Sequence, residues 1–437
     1  MGVLAHTAFF ISISIQNPFE QKKRGEFTMT MSYSIDAFRR IDAIDAIFRK
    51  SSKLHGYTSI VPGSVSSYKA LSNFYPQDLS QSVKYTGPDG NIYMVKSDPT
   101  HFVTQLASQN KRTGQAVQKY AYTTSKLSWK SHEGKTKEIL QCGLEVYDTP
   151  NPLAEAEIIR VAYKVLEESG IGKIIVDLGN ISITEILLKK CSLSHLEKEK
   201  LRDLIDTKNL PELSVFLGHL QLEPYQTKAL ESLPQLFGSP ESVFKMAREL
   251  TLDTDALRAI KRVETLFKAL LDYGLDRNMI KVDFSFTNNY SYYTDNIYKI
   301  YTADSGRVLA SGGRYDNAFG YGLTACGIAL YLNEINEVIE MKQLDKSNLY
   351  PMDYAIYYKN DDRKPAIRLS DKLRDLGYTV TTIEGCADNL PTEAEEVLSV
   401  KGSQLEIINQ RMNTFCRSSF DQFIRKVEDQ YAPSSIH

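Results

Sequence analysis

The sequence predicts an α+β protein with a helical middle and a small α/β module at its C-terminal end. Three observations carry this. Short β-branched and aromatic runs alternate with amphipathic helical patterns over residues 34–178, and strand character returns at 280–310. Between about residues 183 and 275 leucine recurs at helical spacing, with breaks at Pro211, Pro224 and Pro240. After a polar linker at 342–348, strand and helix patterns alternate again toward the end of the chain.

The elements follow in order. Ile35, Phe38, Ile41, Ile44, Ile47 and Phe48 predict a helix over 34–55, closed by Gly56 as a C-terminal cap. Residues 57–61 read as a strand. Another covers 92–95, entered from the turn Gly87-Pro88-Asp89-Gly90. A helix is expected over 101–109. Residues 119–122 and 140–147 predict antiparallel strands flanking a mobile polar loop, 125–137, rich in Ser, Lys and Gly. A helix over 154–169 precedes a strand over 174–178. Beyond the helical middle, strands are expected at 280–286, 298–302 and 308–310, then a helix over 326–339 that starts with small residues. The C-terminal module reads as strand 354–358, helix 364–376, strand 379–383 and helix 415–430. The expected division is 31–345 for the main domain, with an insertion at about 183–275, and 350–437 for the module.

Composition narrows the function classes. The 437 residues predict two or three domains with ample core. Lys and Arg number 52 against 54 Asp and Glu, a net charge of -2, which excludes a generally basic nucleic-acid binder. Cys142, Cys191, Cys326, Cys386 and Cys416 are scattered without a C-x-x-C pair, which fits a reducing cytoplasm and argues against a zinc or disulfide framework. The histidines show no H-x-x-x-H spacing, so neither a metal nor another cofactor is expected. The apolar run at 3–15 is too short to span a bilayer and lacks a basic flank. Lys22-Lys23-Arg24-Gly25-Glu26 can be encoded by a purine-rich stretch like a ribosome-binding site, with Met29 and Met31 close behind. Residues 1–30 are therefore expected to be a disordered or misassigned extension.

Four residue groups carry chemistry: Lys96-Ser97-Asp98-Pro99-Thr100; Gln141-Cys142-Gly143-Leu144-Glu145-Val146 with Ala156-Glu157-Ile158-Ile159 behind it; Ser291-Tyr292-Tyr293-Thr294; and Ser311-Gly312-Gly313-Arg314-Tyr315-Asp316, followed by Phe319-Gly320 and Cys326-Gly327-Ile328-Ala329-Leu330. In this order, with a helical insertion between the second and third, they resemble the catalytic domain of histidyl-tRNA synthetase, a class II aminoacyl-tRNA synthetase. They also resemble its non-catalytic relative, the regulatory subunit of ATP phosphoribosyltransferase. The resemblance covers roughly residues 34–339 and extends more weakly to the C-terminal module. It implies an antiparallel sheet of about six or seven strands flanked by helices, in a protein that is normally a dimer.

The departures choose between these relatives. Adenylation needs planar, permanently charged guanidinium groups against the phosphate oxygens of ATP. The three arginine positions of the synthetase pattern fall on Ala121, Asn288 and Glu334. Losing one preorganised donor costs a factor of about 10² to 10³ in rate; losing three, one with charge reversal, predicts no amino-acid activation. Asp98, Thr100, Gln141, Glu145, Tyr292, Tyr293 and Thr294 fall where the synthetase lines its amino-acid pocket, together with Gly312, Gly313 and Arg314. A carboxylate and an amide can hold an α-amino group, and tyrosine hydroxyls an imidazole. The plainer alternatives are polar residues satisfied within a filled core, and two glycines demanded by close packing at a turn entering a helix. Asp316 can pair with Arg314 or another nearby basic residue, and the Lys-rich loop at 126–137 reads either as a solvated loop or as a contact for an acidic partner surface or a nucleotide.

The resemblance implies a cytoplasmic regulatory subunit of ATP phosphoribosyltransferase. Such a chain partners a short-form catalytic subunit in the first step of histidine biosynthesis and confers feedback inhibition by histidine, with no catalysis of its own and no membrane partner. The first helix of the C-terminal module carries Arg363, Lys364, Arg368, Lys372 and Arg374, but acidic residues follow at Glu384, Asp388, Glu393, Glu395 and Glu396, so tRNA binding is not expected. The rivals are a synthetase-like amino-acid or tRNA sensor of unrelated role and a working histidyl-tRNA synthetase.

Overall fold

The computed structural model describes residues 33–72, 82–96, 98–111, 117–130, 135–149, 151–250, 253–286, 292–342, 352–385, 394–409 and 413–431. The expectations for residues 1–30 and for Asn288, Ser291, Cys386, Asp388 and Glu393 lie outside these.

Nine strands form the main sheet, in the order Thr58–Ser59, Gln118–Lys130, Lys135–Tyr147, Ala325–Tyr331, Val308–Arg314, Asn296–Thr302, Ile174–Asn180, Ile280–Asp283 and Phe237–Gly238. Neighbours run antiparallel except at Thr58–Ser59 and between Ile174–Asn180 and Ile280–Asp283. The two strands beyond the expected number are two-residue edges. Period-2 alternation gives the sheet two different faces. On one, Cys142, Leu144, Val146, Ala310, Ile328 and Leu330 meet Ile44, Phe48, Ile158, Val161, Val165, Ile335 and Ile339 from the helices Ile35–Leu54, Leu153–Glu168 and Leu332–Met341. Each of the Leu, Ile, Val and Phe side chains among these, fully buried, contributes about 1.5–3 kcal/mol. The other face carries tyrosines and polar groups, and the helix Pro99–Lys111 lies over it with Val103 and Ala107.

The first helix begins at the N-cap Ser34, whose hydroxyl accepts from Ala37 N at 3.1 Å, and ends before Gly56 at φ +78°. The helical middle runs as Ile181–Lys189, His195–Asp206, Leu210–Gly218, Pro224–Ser232, Pro240–Leu250 and Thr254–Asp272. Pro211, Pro224 and Pro240 sit in first turns, where a missing N–H costs no bond. Leu201, Leu204, Leu213, Leu230, Val243 and Val263 join the main core, so these helices share one apolar interior with the sheet.

Four expectations need correction. The polar stretch after 122 continues as strand: Gln118–Lys130 and Lys135–Tyr147 pair from Gln118↔Tyr147 out to Lys130↔Lys135. It is stapled by Leu127 N to Lys96 O at 2.8 Å, beside the small sheet of Val65–Ser67, Ile92–Val95 and Lys84–Thr86. Residues 325–331 are strand, and the helix starts only at Leu332. The all-apolar run reads as helix locally, but it is a central strand buried between two others. Gly312 and Gly313 lie inside the strand Val308–Arg314, not at a turn. In the C-terminal module, residues 414–419 form a strand paired with Gln404–Asn409, and the last helix is Phe420–Tyr431.

That module is a five-stranded sheet ordered Val380–Glu384, Met352–Tyr358, Ala394–Lys401, Gln404–Asn409 and Thr414–Ser419. Its core of Ile356, Leu369, Leu373, Leu398, Leu405 and Phe423 is its own.

Candidate functional site

The polar face of the main sheet holds a recess with Gly327 in its lining. Gly143, Gly313 and Gly327 lie on adjoining strands, and a Cβ at each would collide: with the Tyr122 ring, with the Asn296 carbonyl, Ile297 and the Tyr293 ring, and with the Glu145 carboxylate. Tyr122 stands across from Gly143, and Glu145 across from Gly327, in the strand register. Gly312 faces the other way, against Tyr298 and the Gly327 carbonyl. The close-packing alternative is thus what both glycines of the Gly-Gly pair satisfy, and neither lines the recess.

Glu145 is the hub. One oxygen accepts from Thr100 Oγ1 at 3.1 Å and from the Tyr122 hydroxyl at 3.0 Å, and the other accepts from the Tyr315 hydroxyl. Burial pushes its carboxyl up to about 8, against the pull of these hydroxyls. Asp98 caps the helix Pro99–Lys111: its Oδ1 accepts from Thr100 N at 3.0 Å, and its Oδ2 faces Lys126 Nζ at 3.5 Å. Gln141 is 2% exposed, and its Oε1 has no hydrogen-bond partner. Tyr292 and Tyr293 close the recess, with ring centroids 4.9 Å apart. The free space among these side chains is about 30 Å³, room for one or two waters.

Asp98, Thr100, Gln141, Glu145, Tyr292 and Tyr293 therefore converge as expected. Thr294 and Arg314 do not. Thr294 Oγ1 accepts from Asp316 N at 3.0 Å and anchors the segment behind the recess. Arg314 points to the helix-covered face. Its Nε and Nη2 donate to Glu155, its Nη1 to Thr149 O and Asp316, and its Nη2 also to Asn151 O. All five guanidinium hydrogens are committed inside the protein, so none is left for a ligand.

Sequence reasoning missed Tyr122, Lys126 and Tyr331, which line the same recess, and singled out the group holding Ser311 and Tyr315 without assigning those two to it. Strand alternation was the available signal: Tyr122 and Lys126 share a face, as do Gln141 and Glu145. The same alternation corrects the reading of Ala121, which packs in the apolar core on the opposite face. A side chain there would not reach the recess, and Lys126 is the cation among the residues that line it.

Beyond Tyr331 lies a second, mostly apolar recess of about 280 Å³, lined by Lys137, Ile139, Val308, Tyr331, Asn333 and Glu334. Its charges are paired: Lys137 with Glu334 at 3.3 Å, and Arg307 with Glu334 and Glu337, each at 2.6 Å. Among the described residues no cluster of His, Cys, Asp or Glu could hold a metal ion, and no helix is long and apolar enough to cross a membrane.

Residues 33–335 match the family described as histidyl-tRNA synthetase. The chain belongs to that family. Curated relatives carry a different name within it. A Bacillus cereus (strain G9842) protein named ATP phosphoribosyltransferase regulatory subunit is 27% identical over 363 residues, 81% of this chain and 85% of that one. Its namesake from Caldanaerobacter subterraneus subsp. tengcongensis is 24% identical over 363 residues, 82% of this chain and 94% of that one. The fold is shared with a Bacillus halodurans C structure described as an ATP phosphoribosyltransferase regulatory subunit/histidyl-tRNA synthetase, with a TM-score of 0.72, 21% identity, and coverage of 87% of this chain and 99% of that one. It is shared also with histidyl-tRNA synthetase from Nostoc sp. PCC 7120, with a TM-score of 0.75, 13% identity, and coverage of 92% and 98%.

Proposed function

We propose that this chain is a non-catalytic regulatory subunit of ATP phosphoribosyltransferase, acting in the first step of histidine biosynthesis. It activates a short-form catalytic subunit and makes that subunit sensitive to histidine. The observation that carries the reading is the uneven condition of the synthetase-like face. The amino-acid end keeps a buried hub and an unpartnered acceptor, Gln141 Oε1. At the other end an acidic residue, Glu334, stands where the synthetase pattern has arginine, and the neighbouring cations are tied to it. The names of the relatives point the same way.

The physical logic is linkage. A ligand that binds one quaternary state more tightly shifts the whole assembly toward it. In this reading the chain works in the cytoplasm, pairs with a second copy of itself, and does not bind tRNA. The basic helix of the C-terminal module fits that last point, because Arg363, Lys372 and Arg374 are paired with Glu384, Glu428 and Asp371.

The test is phosphoribosyltransferase activity of a short-form catalytic subunit from the same genome, with and without this chain, then with histidine. Stimulation that histidine reverses is expected. No stimulation and no co-purification would overturn the reading in favour of an unrelated sensor. An Asp98→Ala, Gln141→Ala double variant is expected to stimulate normally while losing histidine sensitivity.

A further inference from the structure

The recess holds an ion pair that its buried hub does not use. Lys126 Nζ faces Asp98 Oδ2 at 3.5 Å, long for a charge-assisted bond, which is usually about 2.7–2.9 Å. The two side chains are 12% and 32% exposed, which places the pair toward solvent, whereas Glu145 lies fully inside. Asp98 Oδ1 is already held by Thr100 N, so Oδ2 is the oxygen that can change partner. Gln141 Oε1, buried and without a donor, lines the same space. Glu145 accepts three hydroxyls and has little capacity left.

This arrangement already resembles one end of an amino acid: an ammonium and a carboxylate side by side. We propose that the Lys126–Asp98 pair is an internal stand-in for the α-ammonium and α-carboxylate of a zwitterionic amino acid, and that the ligand binds by exchanging partners with it. The ligand ammonium takes Asp98 Oδ2 and Gln141 Oε1. The ligand carboxylate takes Lys126, whose flexible four-carbon stem and rotatable donors let the ammonium swing without leaving the site. The exchange keeps both side chains ion-paired and leaves the net charge of the recess unchanged. A cationic amine would leave Lys126 facing an added positive charge, so the site selects zwitterions. The inference rests on the reading that the recess takes histidine.

Isothermal calorimetry on the full chain tests it with two probes, histidine and its decarboxylated analogue histamine. The unaltered chain is expected to bind histidine about tenfold or more tighter than histamine. Lys126→Met is expected to weaken histidine about tenfold or more while leaving histamine unchanged or tighter, because Asp98 loses its competing cation. Lys126→Arg, which keeps the charge, is expected to retain the preference for histidine. Unchanged histidine affinity in Lys126→Met overturns the inference while leaving the histidine reading intact, and so does equal loss of both probes. Absence of histidine binding to the unaltered chain overturns both.

Discussion

Two buried carboxylates sit on opposite faces of the same sheet, and they are kept there by different means. Glu145, on the polar face, is held by the hydroxyls of Thr100, Tyr122 and Tyr315. Glu155, on the helix-covered face, is held by Arg314 at 2.8 Å, and both members of that pair are 0% exposed. Burial raises both carboxyls, and for Glu155 the guanidinium pulls the other way. Neutral hydroxyls can satisfy either protonation state of a carboxyl, whereas a guanidinium suits only the charged one. The first arrangement can gain or lose a proton without losing its partners. The second is a permanent cross-tie between the Gly-Gly strand and the helix Leu153–Glu168.

The largest effect is expected where the cross-tie is cut. Arg314→Met leaves Glu155 buried without its cation and strands the carbonyls of Thr149 and Asn151. Breaking a buried pair in this way costs about 3–5 kcal/mol. Urea unfolding of the full chain checks it, and a loss no larger than that of a surface variant would mean the two faces do not differ. Tyr315→Phe removes one of the three donors to Glu145. That loss is expected to cost only about 1 kcal/mol, because Thr100 and Tyr122 remain.

Acidity sharpens the comparison. The Glu145 carboxyl lies at about 8 in the folded protein against an ordinary value of 4.5, so the folded state holds its proton more tightly than the unfolded chain. Its contribution is full below the unfolded value and is lost as pH rises through the folded one. Glu145→Gln removes this group. The melting temperature of the variant relative to the parent should therefore improve between about pH 5 and pH 8. A difference that stays flat across that range would place the Glu145 carboxyl outside the window.

The face with the core was the more legible. Helical leucine and isoleucine spacing marks Ile35–Leu54, Leu153–Glu168 and the helical middle, because one apolar stripe per helix faces one interior. The polar face was legible only in part. Asp98, Gln141 and Glu145 were recognisable as a set, but Arg314 carries the same local marks and turns the opposite way, since Arg314, the last residue of its strand, and Tyr315 just beyond it point to opposite faces. Residues 325–331 misled for a different reason: seven apolar or small residues in a row have no period, and burial between two strands decides their form. The hairpin beyond Tyr122 looked like loop because its polar side chains serve the recess and the small sheet rather than a core.

The smallest effect is expected at the far end of the polar face. Arg307 bridges Glu334 and Glu337 while about a third exposed, so Arg307→Gln should cost no more than about 1 kcal/mol. Glu334→Arg puts an arginine back where the synthetase pattern has one. The new side chain would meet Lys137 and Arg307, the two cations that Glu334 now neutralises, and their mutual repulsion would turn it away from the second recess. No ATP–pyrophosphate exchange with histidine is expected from Glu334→Arg, and a further Arg307→Gln change should not create it, because the recess lined by Asp98 and Lys126 still presents no guanidinium to a phosphate. Exchange appearing in the double variant would mean that one side chain separates this face from an activating enzyme, and that the contrast between its two ends is shallower than the ion pairs make it.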